Sequence, residues 1–287
     1  MEYRKIGDYA LSRFGLGTKR MPITDVSRVD RLDKELAAEI ANEAISQGMN
    51  FFGTSYSNHK GEAESFLGEY REAHSSDSCH IATSFFELVD PRFTYVFQKQ
   101  LKKLHTDRID FYSLEGVCDL NKMRDIDSGA VGFLFEQREA GHIGCLGFSS
   151  ELSPDNLRDF IGRYPWDFVR MRVNYYDWFN KNGSARYEVA KEFNLPIIAH
   201  AALRTGAASA LKPEAVSILK NANPDRSSID WALRFVKSLD AIASVTCNMH
   251  STREVKENAA IFNDAETLSP EEFAVLEACA KAQQKAH

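Results

Sequence analysis

The sequence predicts an α/β protein: one (β/α)8 barrel, with a β-hairpin ahead of the first barrel strand and a helix after the last. Three observations carry that prediction. Eight short apolar runs recur along the chain, amphipathic helical stretches separate them, and no low-complexity linker interrupts the alternation. A length of 287 residues suits a single large barrel, so residues 1–287 read as one domain. A composition 44% hydrophobic and 26% charged is that of an ordinary globular protein with ample core.

The elements follow in order. Tyr3–Ile6 and Ala10–Arg13 flank Gly7-Asp8-Tyr9 and read as a hairpin closing the lower end of the barrel. The strand candidates are Phe14–Thr18, Asn50–Thr54, His80–Ser84, Ile109–Leu114, Ile143–Phe148, Phe168–Val173, Pro196–His200 and Ile242–Thr246. Between them, Lys34–Gln47, Arg92–Leu104, Val131–Ala140, Asp155–Arg163 and Ser228–Val236 carry helical periodicity. Leu36, Ile40, Ala44 and Ile45 repeat as an outer-ring helix requires. Ser153-Pro154 and Ser269-Pro270-Glu271-Glu272 are helix-start signals, the second opening a terminal helix outside the barrel.

Charge and cysteine usage exclude several classes. A formal net charge of −6 argues against nucleic acid or an anionic membrane as partner. No stretch is apolar for long enough to span a bilayer, and Met1 to Gly7 is polar with no signal segment behind it, so a cytoplasmic protein is expected. Cys79, Cys118, Cys145, Cys247 and Cys279 are scattered singly; without a C-x-x-C pair they imply no zinc or iron–sulfur site and read as reduced thiols.

A barrel of this kind places its site at the C-terminal ends of its strands. That directs attention to Thr18, Gly53 to Glu64, Ser84, Glu115, Ser149, Arg170 to Asn174, His200 to Gly206, and Thr246 to Asn258.

Motifs at these points resemble the aldo-keto reductases, a family with the TIM-barrel fold. Met1-Glu2-Tyr3-Arg4-Lys5-Ile6-Gly7 with Gly15-Leu16-Gly17-Thr18 resembles the family's opening. The similarity continues through Phe51-Phe52-Gly53-Thr54-Ser55, Ile81-Ala82-Thr83-Ser84, Arg108-Ile109-Asp110-Phe111-Tyr112, Gly147-Phe148-Ser149 and Val255-Lys256-Glu257-Asn258. His59-Lys60-Gly61-Glu62, Tyr164-Pro165-Trp166-Asp167-Phe168 and Leu203-Arg204-Thr205-Gly206 resemble the branch that often carries a ferredoxin-like C-terminal extension. No cysteine cluster of that extension is present, so no iron–sulfur cluster is implied.

The resemblance implies reduction of carbonyls with NADPH, in which a Tyr donates the proton, supported by a Lys, an Asp and a His. Hydride arriving at carbon creates an alkoxide, and that charge demands a nearby acid of lowered pKa. In this chain the Asp slot holds Gly53, the Tyr slot Asn58, the Lys slot Ser84 and the His slot Glu115, with Glu64 and Leu67-Gly68 keeping the register without a gap. Asn58 has no titratable proton and Ser84 no charge to lend. Standard carbonyl reduction is expected to be lost or feeble. Tyr56, His59, Lys60 and Glu115 are the nearby groups with protons to exchange, read either as displaced acid–base groups or as ordinary loop side chains.

By the same resemblance, Thr18, Ser149, Arg170, Leu203, Arg253, Glu257 and Asn258 are candidates for holding NADP or NAD. Arg170 stands where the family uses Gln, and His200 where an aromatic often stacks. Glu254 lies near the slot where NADP-preferring members place Arg, and a carboxylate there repels a 2′-phosphate. Nucleotide binding stands open on these residues. No metal site is expected.

Arg170 and Arg172 alternate on one strand and should both face the mouth, with Asn174 beyond and Lys19, His200 and Arg204 on neighbouring strand ends. These make a substrate site for a small, anionic molecule, or else the arginines pair with acids such as Asp177, Glu151 or Glu115. Three functions follow as alternatives: a ligand-binding pseudoenzyme, a lyase or isomerase acting on an anionic substrate, or an NAD(P)H-dependent oxidoreductase with a relocated proton donor.

Overall fold

The computed structural model describes residues 1–25, 27–28, 31–74, 79–85, 92–117, 129–204 and 210–284; Cys118, Thr205 and Gly206, named above, lie outside these. Two strands, β1 (Tyr3–Ile6) and β2 (Tyr9–Ser12), form an antiparallel hairpin. Eight parallel strands then close a barrel: β3 (Phe14–Gly17), β4 (Phe51–Gly53), β5 (His80–Phe85), β6 (Ile109–Val117), β7 (Ile143–Ser150), β8 (Phe168–Arg172), β9 (Ile197–His200) and β10 (Ile242–Asn248), the last pairing back onto β3. This is the predicted (β/α)8 barrel, with its N-terminal hairpin and C-terminal helix.

The hairpin turns at Gly7, whose φ of +56° suits glycine. It presents Ile6 and Leu11 to the barrel floor, where they pack with Phe51, Phe111, Cys145 and Phe168. That plug closes one end. Because side chains alternate along a strand, the next inward layer is small or polar: Phe51 is followed by Gly53, Ala82 by Ser84, Phe168 by Arg170 and Ile198 by His200. Apolar residues thus fill the bottom of the barrel and leave its top open for chemistry.

β6 runs beyond the predicted Leu114 to Val117, and its register against β7 shifts between Leu114 and Val117. Gly116, at φ +80°, takes up this bulge just after Glu115. The helix Lys34–Ser46 is capped by Asp33, which accepts from the Leu36 N–H. Its buried stripe is Ala37, Ile40, Ala41 and Ala44, so Leu36, expected inside, stands at the stripe's exposed edge.

The helix starts at Ser153 and Ser269 form as expected. Ser153 accepts from the Asn156 N–H, with Pro154 in the first turn. Ser269 accepts from the Glu272 N–H (3.3 Å) while the Glu272 carboxylate accepts from the Ser269 N–H (2.9 Å), a reciprocal cap for Pro270–Gln284. Cys79, Cys145, Cys247 and Cys279 are unpaired and buried. Among the described residues no helix is long and apolar enough to cross a membrane, and no group of side chains is arranged to hold a metal ion.

Candidate functional site

The open end of the barrel is a cavity of 1280 Å³. Gly53, Ser84, Glu115, Arg170 and His200 lie at its floor, and the cleft continues past the end of β10 to the helix Thr252–Asn263, where Arg253, Glu257 and Asn258 line it.

One wall is the turn after β4. Within the 3-10 turn Asn58–Gly61, His59 (φ 49°), Lys60 (φ 53°) and Gly61 (φ 92°) are successively left-handed. For a residue with a Cβ that conformation costs about 1–2 kcal/mol, and contacts to Thr18 offset it. Asn58 Nδ2 donates to Thr18 Oγ1 (3.1 Å), His59 Nε2 donates to the Thr18 carbonyl (3.1 Å), and Thr18 Oγ1 donates to Thr54 Oγ1 (2.9 Å). The amide in the slot of the expected proton donor therefore holds the loop to β3. Tyr56 lines the cavity beside it, and the Lys103 and Lys99 ammonium groups lie 5.4 and 5.9 Å from its ring centroid.

Behind this wall a buried polar chain fixes the end of β5. The Glu64 carboxylate accepts from Thr83 Oγ1 (2.7 Å) and Gln100 Nε2 (2.7 Å), with Lys103 at 3.6 Å. Gln100 Nε2 also donates to the Ser84 carbonyl (3.1 Å), and its carbonyl accepts from Tyr112 (2.6 Å). Burial raises the Glu64 pKa against these donors. Ser84 lines the cavity, and its buried Oγ has no hydrogen-bond partner among the described residues.

On the far side, Arg170 donates to the Glu115 carboxylate and lies 3.4 Å from Ser113 Oγ. Arg172 is 3.4 Å from Glu151 and 3.6 Å from Asp177. Both pairings are among those anticipated from sequence. Burial first, then the charges of Arg170, Arg172 and Lys19, push the pKa of His200 down to about 3. Its imidazole is neutral; the ring engages the Met171 backbone, which opposes the shift, and Nδ1 has no hydrogen-bond partner among the described residues.

Most residues singled out in the sequence meet in this one cavity: Lys19, Tyr56, His59, Lys60, Glu115, Arg170, Arg172, His200, Leu203, Arg253, Glu257 and Asn258 line it. Four do not. Thr18 is wholly buried behind the turn. Ser149 is the register partner of Arg170, on the strand that the Arg170–Glu115 pair crosses. Asn174 does not face the mouth; it caps the short helix Tyr175–Asn180, accepting from the Asp177 N–H (2.9 Å). Arg204 leaves the rim because its guanidinium stacks 3.8 Å from the Tyr176 ring centroid.

Sequence reading missed Arg20, which lines the cavity, and Gln100 and Lys103, which support it. A signal existed for Gln100. It is a polar residue in the buried stripe Val96, Phe97, Gln100 and Leu101 of the helix Phe93–Lys103, and such a residue needs a hydrogen-bond partner.

The cavity is electropositive. Its cations are Lys19, Arg20, Lys60, Arg170, Arg172 and Arg253. Glu115, Glu254 and Glu257 are its only carboxylates among the described residues, although the chain as a whole carries −6. Glu254 is already engaged at its helix N-terminus, where its carboxylate accepts from the His250 N–H (3.0 Å).

A parallel barrel plugged below by a hairpin, with its cleft built from strand ends and the loops beyond them, defines the class of (β/α)8 proteins that hold small ligands at the barrel mouth. The particular family is now identified: residues 13–281 match the Aldo/keto reductase family, and the chain belongs to it. It is 23% identical to the uncharacterized oxidoreductase YqkF of Bacillus subtilis, over 98% of this chain and 97% of that protein. Among solved structures it is similar to the holo form of aldo-keto reductase AKR11C1 from Bacillus halodurans, with 21% identity, a TM-score of 0.78, and coverage of 98% and 97% of the two chains. An aldo-keto reductase from Klebsiella pneumoniae in complex with NADPH shares 17% identity at a TM-score of 0.75, over 99% of this chain and 96% of that one.

Proposed function

We propose that this protein binds a small molecule in its barrel mouth and does not catalyse the NADPH-dependent carbonyl reduction associated with its family. One observation carries the reading. At the slot where a phenol would deliver a proton stands Asn58, whose amide is spent on Thr18. The slots around it hold Gly53, Ser84 and Glu115, and Glu115 is spent on Arg170. An alkoxide forming there meets no acid matched to it. Candidate ligand contacts are Lys19, Arg172 and His200, while Glu115, His59 and Lys60 are the side chains lining the cavity whose chemistry includes proton exchange.

A nicotinamide nucleotide, NADP or NAD, is a second occupant for the cleft. Its continuity from Ser84 to Arg253, Glu257 and Asn258 favours this. If such a nucleotide binds, it supplies hydride chemistry when reduced, and Tyr56, with Lys103 and Lys99 beside its ring, is the phenol that lines the cavity among the described residues. Free buried thiols support a reducing, cytoplasmic setting.

The test is spectrophotometric. NADPH and NADH consumption is followed with a panel of aldehydes and ketones, alongside thermal melts with each nucleotide. No carbonyl-dependent consumption is expected. Turnover at the typical enzyme rate of about 10 s⁻¹ overturns the reading, and its loss on Tyr56→Phe then assigns the proton donor. Nucleotide at a hundred times its dissociation constant adds about 2.7 kcal/mol of stability if bound.

A further inference from the structure

Two polar atoms at the base of the mouth have no hydrogen-bond partner among the described residues: Ser84 Oγ, on a residue 1% exposed, and His200 Nδ1. Both residues line the cavity. An unpaired buried polar atom costs about 1–3 kcal/mol, so a surface retaining two of them is complementary to a ligand that pairs them. They belong to opposite walls. Ser84 stands on β5 and His200 on β9, four strands apart in a closed ring of eight.

The charges around them are unequal. Arg172 is the register partner of His200. Lys19 sits two strands round the ring, following β3, where its backbone N–H donates to Asn248 Oδ1 (3.1 Å). The charges of both, with that of Arg170, bear on His200. Arg170 is committed to Glu115. Arg172 meets its acids only at 3.4 and 3.6 Å, and the Lys19 ammonium makes no ion pair among the described residues. Lys19 thus lines the mouth without an acid of its own among the described residues, and Arg172, held between two acids, lines it beside a neutral imidazole.

We propose that the mouth binds a hydroxylated organic anion, its anionic group between Lys19 and Arg172, one hydroxyl on His200 Nδ1 and another across the mouth on Ser84 Oγ. A hydroxyl both donates and accepts, so it satisfies Ser84 in any rotamer and Nδ1 in either tautomer. A ligand with acceptors alone does not. Sugar acids and sugar phosphates share this chemistry. The inference rests on reading the mouth as a small-molecule site.

Titration calorimetry of the full chain with gluconate, glucose 6-phosphate, sorbitol and inorganic phosphate tests it. Gluconate or glucose 6-phosphate should bind, and whichever is tighter identifies the anionic group as carboxylate or phosphate. Sorbitol and inorganic phosphate should each bind at least about tenfold more weakly, since each lacks one half of the recognition. Lys19→Ala should weaken binding about tenfold and Ser84→Ala about three- to tenfold, with melting temperatures close to the parent's. Lys19→Gln repeats the first measurement should the alanine variant fold poorly. Any other pattern overturns the proposal: neither anionic polyol bound, sorbitol bound equally well, or affinity unchanged in either variant. No nucleotide is present in these titrations, so their failure leaves the absence of carbonyl reduction standing, and turnover in that assay leaves these affinities unexplained by it.

Discussion

Arg170 on β8 reaches past the intervening β7 to pair with Glu115 on β6, and the two side chains are only 19% and 27% exposed. Ser84 on β5 and His200 on β9 stand on the strands that flank the three the pair spans.

Breaking this pair from one end should cost more than removing it whole, because a charge left unpaired in a partly buried site is the expensive state. Glu115→Gln is expected to lose about 1–3 kcal/mol, and the double variant Glu115→Gln/Arg170→Gln to recover at least half of that. Urea denaturation of the four proteins measures the coupling. Strictly additive losses would show that the two groups do not interact.

His200 should resist protonation. Its pKa is pushed to about 3, far below the 6.5 of an unperturbed imidazole, first by burial and then by Arg170, Arg172 and Lys19. The folded state thus holds fewer protons than the unfolded chain between these values. The stability this group contributes is complete above about pH 6.5 and is lost as pH falls toward 3. Histidine-labelled NMR spectra should show His200 neutral at pH 5; a midpoint near 6.5 contradicts the packing described.

Glu64 has the opposite sign. Burial, opposed by Thr83, Gln100 and Lys103, raises its pKa above the ordinary 4.5. The folded state then holds the proton more tightly than the unfolded chain does. Stability from this group is present below pH 4.5 and declines as pH rises through its folded value. Glu64→Gln should therefore gain on the parent as pH increases from 4.5, read from paired melts across the range. A constant difference means the carboxyl ionises as it would in water.

Lys60 is left-handed at φ 53° without being glycine. Lys60→Gly removes the Cβ strain but adds freedom to the unfolded chain, for a net gain of about 0.5–1 kcal/mol. A rise in melting temperature is expected; a fall means the lysine's contacts outweigh the strain.

The barrel was legible because strand pleating repeats every two residues. Reading Phe51 to Gly53, Ala82 to Ser84 and Ile198 to His200 by that period puts the correct side chains inside, and Arg170 and Arg172 follow by the same rule. The rule lapses where strands end. Asn174 and Arg204 lie beyond β8 and β9, where one caps a helix and the other, left-handed at φ 47°, stacks on Tyr176. No periodicity describes either choice. Lys103 was invisible for a related reason: it belongs to an outer helix, yet its ammonium crosses beneath the turn at Gly61 to reach Tyr56.

Pattern alone determined which chemical groups stand at the strand ends, and the resemblance to aldo-keto reductases is what matches the amide of Asn58 to the slot of their proton-donating phenol. Only the tertiary structure decided how those groups are used: Arg170 takes Glu115, 55 residues away, Asn58 takes Thr18, and Ser84 Oγ and His200 Nδ1 find no partner among the described residues. The reason is physical. A backbone period dictates where a side chain starts, whereas a long cation or an amide selects its partner by distance and burial, and those exist only once the ring of strands has closed.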